Sequence, residues 1–183
     1  DRFGEPGDVA VFSAIGWVLY GATGSGWMIV LALLGLVGIT LRVSYHVFYQ
    51  TSFLHLEEKY QTNRVTEEIT KEDLTGDPLA LVLQRFFQVI YGWQDLFMIR
   101  IDDWCKRGRL DREFSIRWYS DPVGLRLSGL IGLGTELFIL MVCSVLNELQ
   151  TYLVLNVFLM NAVLLTSILY RRWYLGPTIS MKG

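Results

Sequence analysis

The chain has 183 residues, 52% of them hydrophobic and 14% aromatic, with a formal net charge of −2. Those values are high for a soluble domain and ordinary for a polytopic membrane protein, and the charge balance gives no reason to expect a nucleic-acid partner. Cys105 and Cys143 stand far apart, one in a polar segment and one in an apolar run, which excludes a metal-binding cysteine spacing and argues against a disulfide.

The first residues, DRFGEPGD, are polar and rich in Gly and Pro. They form a turn that delivers Asp8 to the first apolar run. No basic n-region and cleavage site precede that run, so it does not resemble a signal peptide, and the start at Asp1 suggests the interior of a longer protein. From Val9 to Val47 the sequence carries one charge, Arg42. The run is too long for one crossing, which needs about 20 apolar residues. Split at Gly21-Ala22-Thr23-Gly24-Ser25-Gly26, it predicts a transmembrane hairpin with a short crossing from Asp8 to about Thr23 and a longer one from Trp27 to about Val47. Gly35 and Gly38 share a face on the second helix, where small residues permit close approach of a neighbour.

The second helix continues past the membrane through Tyr45, His46, Phe48, Tyr49, Phe53 and His55. A charged, exposed connection follows over residues 61–78. Asp77-Pro78 is a good helix start. Residues 78–107 predict one amphipathic helix, because Val82, Phe86, Val89, Ile90, Trp93, Phe97 and Trp104 recur at spacings of three and four. Arg85, Asp95, Arg100 and Asp103 argue against a crossing there. Such a helix lies in the membrane interface or packs on the cytoplasmic ends of the crossings. A basic connection, KRGRLDREFSIRWYSDPV, leads into a third crossing from about Leu125 to Leu146, which carries Gly129, Gly132, Gly134 and Glu136. After the polar turn Asn147-Glu148-Leu149-Gln150, a fourth crossing runs from Thr151 to Tyr170 and stops at Arg171-Arg172-Trp173-Tyr174.

The fold expected is therefore all-α: a polytopic integral membrane protein with four transmembrane helices in two hairpins and a helical cytoplasmic middle region. Its parts are an N-terminal segment with the first hairpin (1–47), a cytoplasmic region (48–123), the second hairpin (124–172) and a cytoplasmic tail (173–183). The 16 Lys and Arg residues all avoid the two turns at 22–26 and 147–150. By the positive-inside rule, the side that carries them, with both termini, is cytoplasmic, in a bacterial-type inner membrane.

Several residues are candidates for chemistry. Asp8 at a helix mouth could bind a divalent cation, or could cap the helix. Glu136 is the one acid well inside a crossing; it either faces a polar cavity or is protonated and bonded to a neighbouring helix. His46 and His55, nine residues apart, could ligate a metal, haem or pigment, or could be hydrogen-bonding side chains. Lys106, Arg107, Arg109, Arg112, Arg117 and Arg126 could hold anionic lipid headgroups or a phosphate-bearing substrate, or simply fix topology. There is no HExxH, GxSxG, phosphate loop or CxxC.

Gly4-Glu5-Pro6-Gly7-Asp8, followed by a short crossing, a Gly-rich turn, a longer crossing and LRLSGLIGLGTELF before the last hairpin, resembles the C-terminal two-thirds of a CDP-alcohol phosphatidyltransferase. That family has six crossings and a cytoplasmic-side active site whose signature runs from DGxxAR to GxxxDxxxD. The resemblance implies transfer of a phosphoryl-alcohol unit from a CDP-linked donor, with Mg or Mn held by Asp8 and substrate phosphate held by Arg126 and Arg117. It also implies a lipid partner and a homodimer. The DGxxAR half does not occur within the chain, and Phe12 stands where the companion of Asp8 is expected, so the metal site is incomplete in this sequence. The competing expectation is a non-catalytic accessory subunit of a larger membrane complex, which could also be pigment- or haem-associated. The abundance of aromatic residues, six Trp, nine Tyr and ten Phe, favours it.

Overall fold

The computed structural model describes residues 4–56, 93–94, 96–107 and 111–181, and every regular element among them is helical. In chain order these are α1 (Gly4–Thr23), α2 (Trp27–Leu56), α3 (residues 96–106), α4 (Arg112–Tyr119), α5 (Pro122–Leu130), α6 (Leu133–Val145), α7 (Leu149–Val154), a π-helical stretch (Leu155–Met160), α8 (Asn161–Leu169), a second π-helical stretch (Tyr170–Leu175) and α9 (Gly176–Met181). The charged connection expected over 61–78, and the expected amphipathic helix before Trp93, lie outside the described residues.

Among the described residues, three helical segments are long and apolar enough to cross a membrane: Trp27–Leu56, Pro122–Val145 and Leu149–Ile179. The apolar part of α1, Gly7–Thr23, is shorter. Length and composition thus make this a membrane protein. At 30 residues, α2 is about 45 Å long and outruns a hydrocarbon core of about 30 Å.

The first turn is tighter than the glycine-rich sequence suggests. Helix α1 continues through Gly21 and Ala22 and ends where Gly24 takes φ +66° and donates its N–H to the Tyr20 carbonyl at 2.7 Å. Glycine adopts that left-handed conformation without a Cβ penalty, which makes it a helix terminator. The expected third crossing is one run in sequence and two helices in space. At Ile131 and Gly132 the chain leaves the α conformation, and Gly132 is extended at φ −71°, ψ 163°. Gly129, Gly132 and Gly134 crowd this point, and glycine is the weakest helix former after proline. The last helix does not stop at Arg171-Arg172; it widens into a π-helical stretch and continues to Met181.

The chain folds into two compact units. Unit 1 comprises residues 1–46 and 126–169. Its core is Phe12, Ile15, Met28, Leu31, Ala32, Ile39, Cys143, Tyr152 and Leu153. Its outer surface is also apolar: Trp17, Leu33, Phe138, Val145 and Phe158 are all exposed, and Val145 reaches 81%. Apolar surface outside with charges inside is the pattern of a protein whose solvent is lipid.

Unit 2 comprises residues 47–125 and 170–183. Among its described residues, Tyr49, Met98, Cys105, Phe114, Trp118 and Leu175 are buried. Phe114 and Trp118, one turn apart on α4, stack with ring centroids 5.5 Å apart.

Candidate functional site

The inner face of unit 1 is built around charge. Arg42 on α2 and Glu136 on α6 are both fully buried, and Arg42 Nη2 lies 2.9 Å from Glu136 Oε2. Arg42 Nη1 donates to the Asn156 carbonyl at 3.0 Å and to Asn161 Oδ1 at 2.8 Å. The second carboxylate oxygen, Oε1, accepts from the Tyr152 hydroxyl at 2.8 Å and from Asn156 Nδ2. Each buried charge therefore has a counter-charge and neutral hydrogen-bond partners, the condition for tolerating it away from water.

Local geometry makes room for this network. A Cβ on Gly38 would stand 2.9 Å from Arg42 Nη1 and 3.0 Å from Asn161 Nδ2; one on Gly35 would stand 2.7 Å from the Phe12 ring and 3.0 Å from Asn156 Oδ1. The two glycines thus seat polar side chains against α2. Asn156 lies in the first π-helical stretch, which changes the helical phase so that Tyr152, Asn156 and Asn161 all bond inward. Stretches of this kind concentrate at functional sites.

Helix α1 presents Phe12, Ile15 and Gly16 as its buried stripe, with half-buried Asp8 one turn before Phe12 on the same face. Asp8 lies within electrostatic reach of Glu136. Phe12 packs against Gly35 and lies 6.0 Å, centroid to centroid, from the Tyr152 ring. The position expected for a companion aspartate is therefore filled by core. Among the described residues no three His, Cys, Asp or Glu side chains come together as a metal site. The described donor set, one carboxylate beside an aromatic ring, does not fit a divalent cation by itself, and no step through a metal is derived from it.

The other candidates are placed as follows. His46, half-buried on α2, packs on the break between α5 and α6: a Cβ on Gly132 would approach its Nε2 to 3.3 Å, and its ring makes a backbone hydrogen bond at Ser128. His55 lies exposed near the end of α2, in unit 2. Arg126 is exposed on α5, in unit 1. Arg117, on α4 in unit 2, pairs with Glu113 at 2.6 Å on the surface.

Unit 2 holds a second polar centre that the sequence did not single out. Asp102 on α3 is buried and accepts from Tyr49 Oη (2.8 Å), Trp118 Nε1 (2.9 Å) and Tyr119 Oη (2.8 Å), and Lys106 Nζ lies 2.7 Å from its Oδ2. The buried Arg171 guanidinium stacks on the Tyr49 ring at 3.6 Å and donates to the Trp118 carbonyl at 3.0 Å. Burial, with the negative charge of Asp102, pushes the Cys105 thiol up to about 11 and holds the Tyr119 phenol well above its usual range. Both groups are therefore protonated at neutral pH and act as donors or apolar filler, not as anions.

No family model, curated protein or solved structure matches this chain.

Proposed function

We propose that this chain acts as a membrane enzyme of the CDP-alcohol phosphatidyltransferase type, transferring a phosphoryl-alcohol unit from a CDP-linked donor at the cytoplasmic face. In this reading α1 is a fourth crossing, all four crossings form two hairpins, and both termini are cytoplasmic in a bacterial-type inner membrane. The distribution of Lys and Arg supports that orientation. The observation that carries the reading is the inner stripe of α1. It begins with the carboxylate of Asp8, in the second turn of α1, and runs on over Phe12, in a bundle that already holds Glu136 and Arg42. A divalent ion such as Mg or Mn would supply positive charge to the phosphates there. Asp8 would be one ligand of such an ion, and the described residues do not complete its shell. Arg126, exposed on α5, would meet substrate phosphate. The full-length protein, purified with lipid as a homodimer or larger assembly, is expected to release CMP from a CDP-linked lipid, with loss of release on Asp8→Asn.

One observation favours a second reading, a non-catalytic accessory subunit: Phe12 is a core residue, 2% exposed, where a second acid would be needed. A chain of that kind co-purifies with other membrane subunits in mild detergent and releases no CMP.

A further inference from the structure

Residues 93–94 and 96–106 are helical, and their amphipathicity runs opposite to that of a soluble surface helix. The face turned into unit 2 carries Gln94, Met98, Asp102 and Cys105, all buried, and its centre is the hydrogen-bonded Asp102 carboxylate. The outward face carries Trp93, Leu96, Phe97 and Trp104, each between 42% and 56% exposed. Arg100 lies exposed within the same stripe, and Arg107 is exposed just beyond the helix end. Trp93, Phe97, Arg100 and Trp104 are spaced four, three and four residues apart, which aligns them in one row along a helix. A row of aromatic and apolar groups this exposed calls for a partner surface.

Two features identify that partner. Of the exposed charges within and beside the row, Arg100 and Arg107 are cationic and Asp103 is acidic, and the two cations complement anionic lipid headgroups. The row is also tied to a membrane-length helix, at a point past the roughly 20 residues that a crossing needs. The Arg172 guanidinium stacks on the Trp104 ring at 3.6 Å and donates to the Trp104 carbonyl, and Arg172 belongs to the segment Leu149–Ile179. Its neighbours Trp173 and Tyr174 are both 64% exposed. Trp, Tyr and Arg at the end of a crossing mark the level of the headgroups, so Trp104 is held at that level.

We propose that the outward face of α3 docks in the headgroup layer of the surrounding membrane, with Trp93, Phe97 and Trp104 in the interface and Arg100 and Arg107 on anionic lipid phosphates. The buried Asp102 centre then anchors unit 2 from behind. This rests on the membrane assignment and not on the transferase reading, so CMP release and lipid contact can fail independently.

The test uses the full chain in liposomes of phosphatidylcholine with phosphatidylglycerol. In a background carrying Cys105→Ala and Cys143→Ala, a nitroxide is attached at Phe97→Cys and, for comparison, at Glu113→Cys, an exposed position of α4. The ratio of collisions with oxygen to collisions with an aqueous nickel chelate is expected to be several-fold higher at 97 than at 113. Equal ratios would place the stripe in water and overturn the proposal. A label at 97 shielded from both reagents would place it against protein and overturn it equally. Without cysteine changes, Trp104→Phe is expected to remove part of the tryptophan emission quenched by lipids brominated near the headgroup; an unchanged quenched fraction would contradict it.

Discussion

Arg42 Nη2 and Glu136 Oε2 lie 2.9 Å apart in the interior of unit 1, where neither side chain meets solvent. Desolvation opposes burying either charge alone, and the pair offsets that cost only while both members remain. Arg42→Met or Glu136→Leu alone is expected to destabilise the protein by about 3–5 kcal/mol. The double replacement is expected to cost less than the sum of the two. Unfolding in detergent followed by helicity measures both; additive losses would show that the two side chains are not energetically coupled.

The glycines of α2 and α6 predict opposite responses to one methyl group. Gly35→Ala would drive a Cβ to 2.7 Å from the Phe12 ring, and overpacking of this kind costs about 1–3 kcal/mol. A Cβ on Gly134 meets nothing within 4 Å, so Gly134→Ala gains the helix propensity of alanine, about 0.5–1 kcal/mol. Thermal unfolding of the two variants should move in opposite directions.

The two helices at the start of the chain were legible because their signals are local: an apolar run and a glycine break. The buried network was legible in its parts and not as a whole. Arg42 is the lone charge of one apolar run and Glu136 the lone acid of another, and opposite signs in two such runs are a pairing signal. What sequence spacing could not supply is the π-helical stretch at Leu155–Met160, which brings Tyr152, Asn156 and Asn161 inward together. For α3 the period was correct, but periodicity defines a stripe and not the side on which the protein lies. Trp93, Phe97 and Trp104 face outward, and the buried face is held by the polar contacts of Asp102.

Asp102 gathers three neutral donors and one ammonium group. Asp102→Ala leaves Lys106 and the Trp118 N–H without their buried acceptor and is expected to cost about 3–5 kcal/mol. Asp102→Asn keeps one acceptor oxygen and should cost less. Loss of fixed Trp118 fluorescence on warming ranks the three proteins.

The Cys105 thiol is pushed from its ordinary value of 9.0 up to about 11, first by burial and then by Asp102. An unfolded chain therefore gives up this proton before the folded one does. Its contribution to stability is complete below pH 9.0 and falls as pH rises through about 11. Cys105→Ala should flatten the decline in unfolding midpoint across that window. In the folded wild-type protein, maleimide should modify Cys105 far more slowly than it modifies the unfolded chain.

The most direct measurement of function is CMP release from a CDP-linked lipid by the purified full-length protein in lipid, compared between wild type and Asp8→Asn at equal helicity and equal assembly size. A transferase whose metal ligand is Asp8 gives clear release that falls at least about a hundredfold in the variant, the scale on which catalytic electrostatic contacts act. Release unchanged by Asp8→Asn, or no release from the wild type with magnesium or manganese supplied, would contradict the assignment.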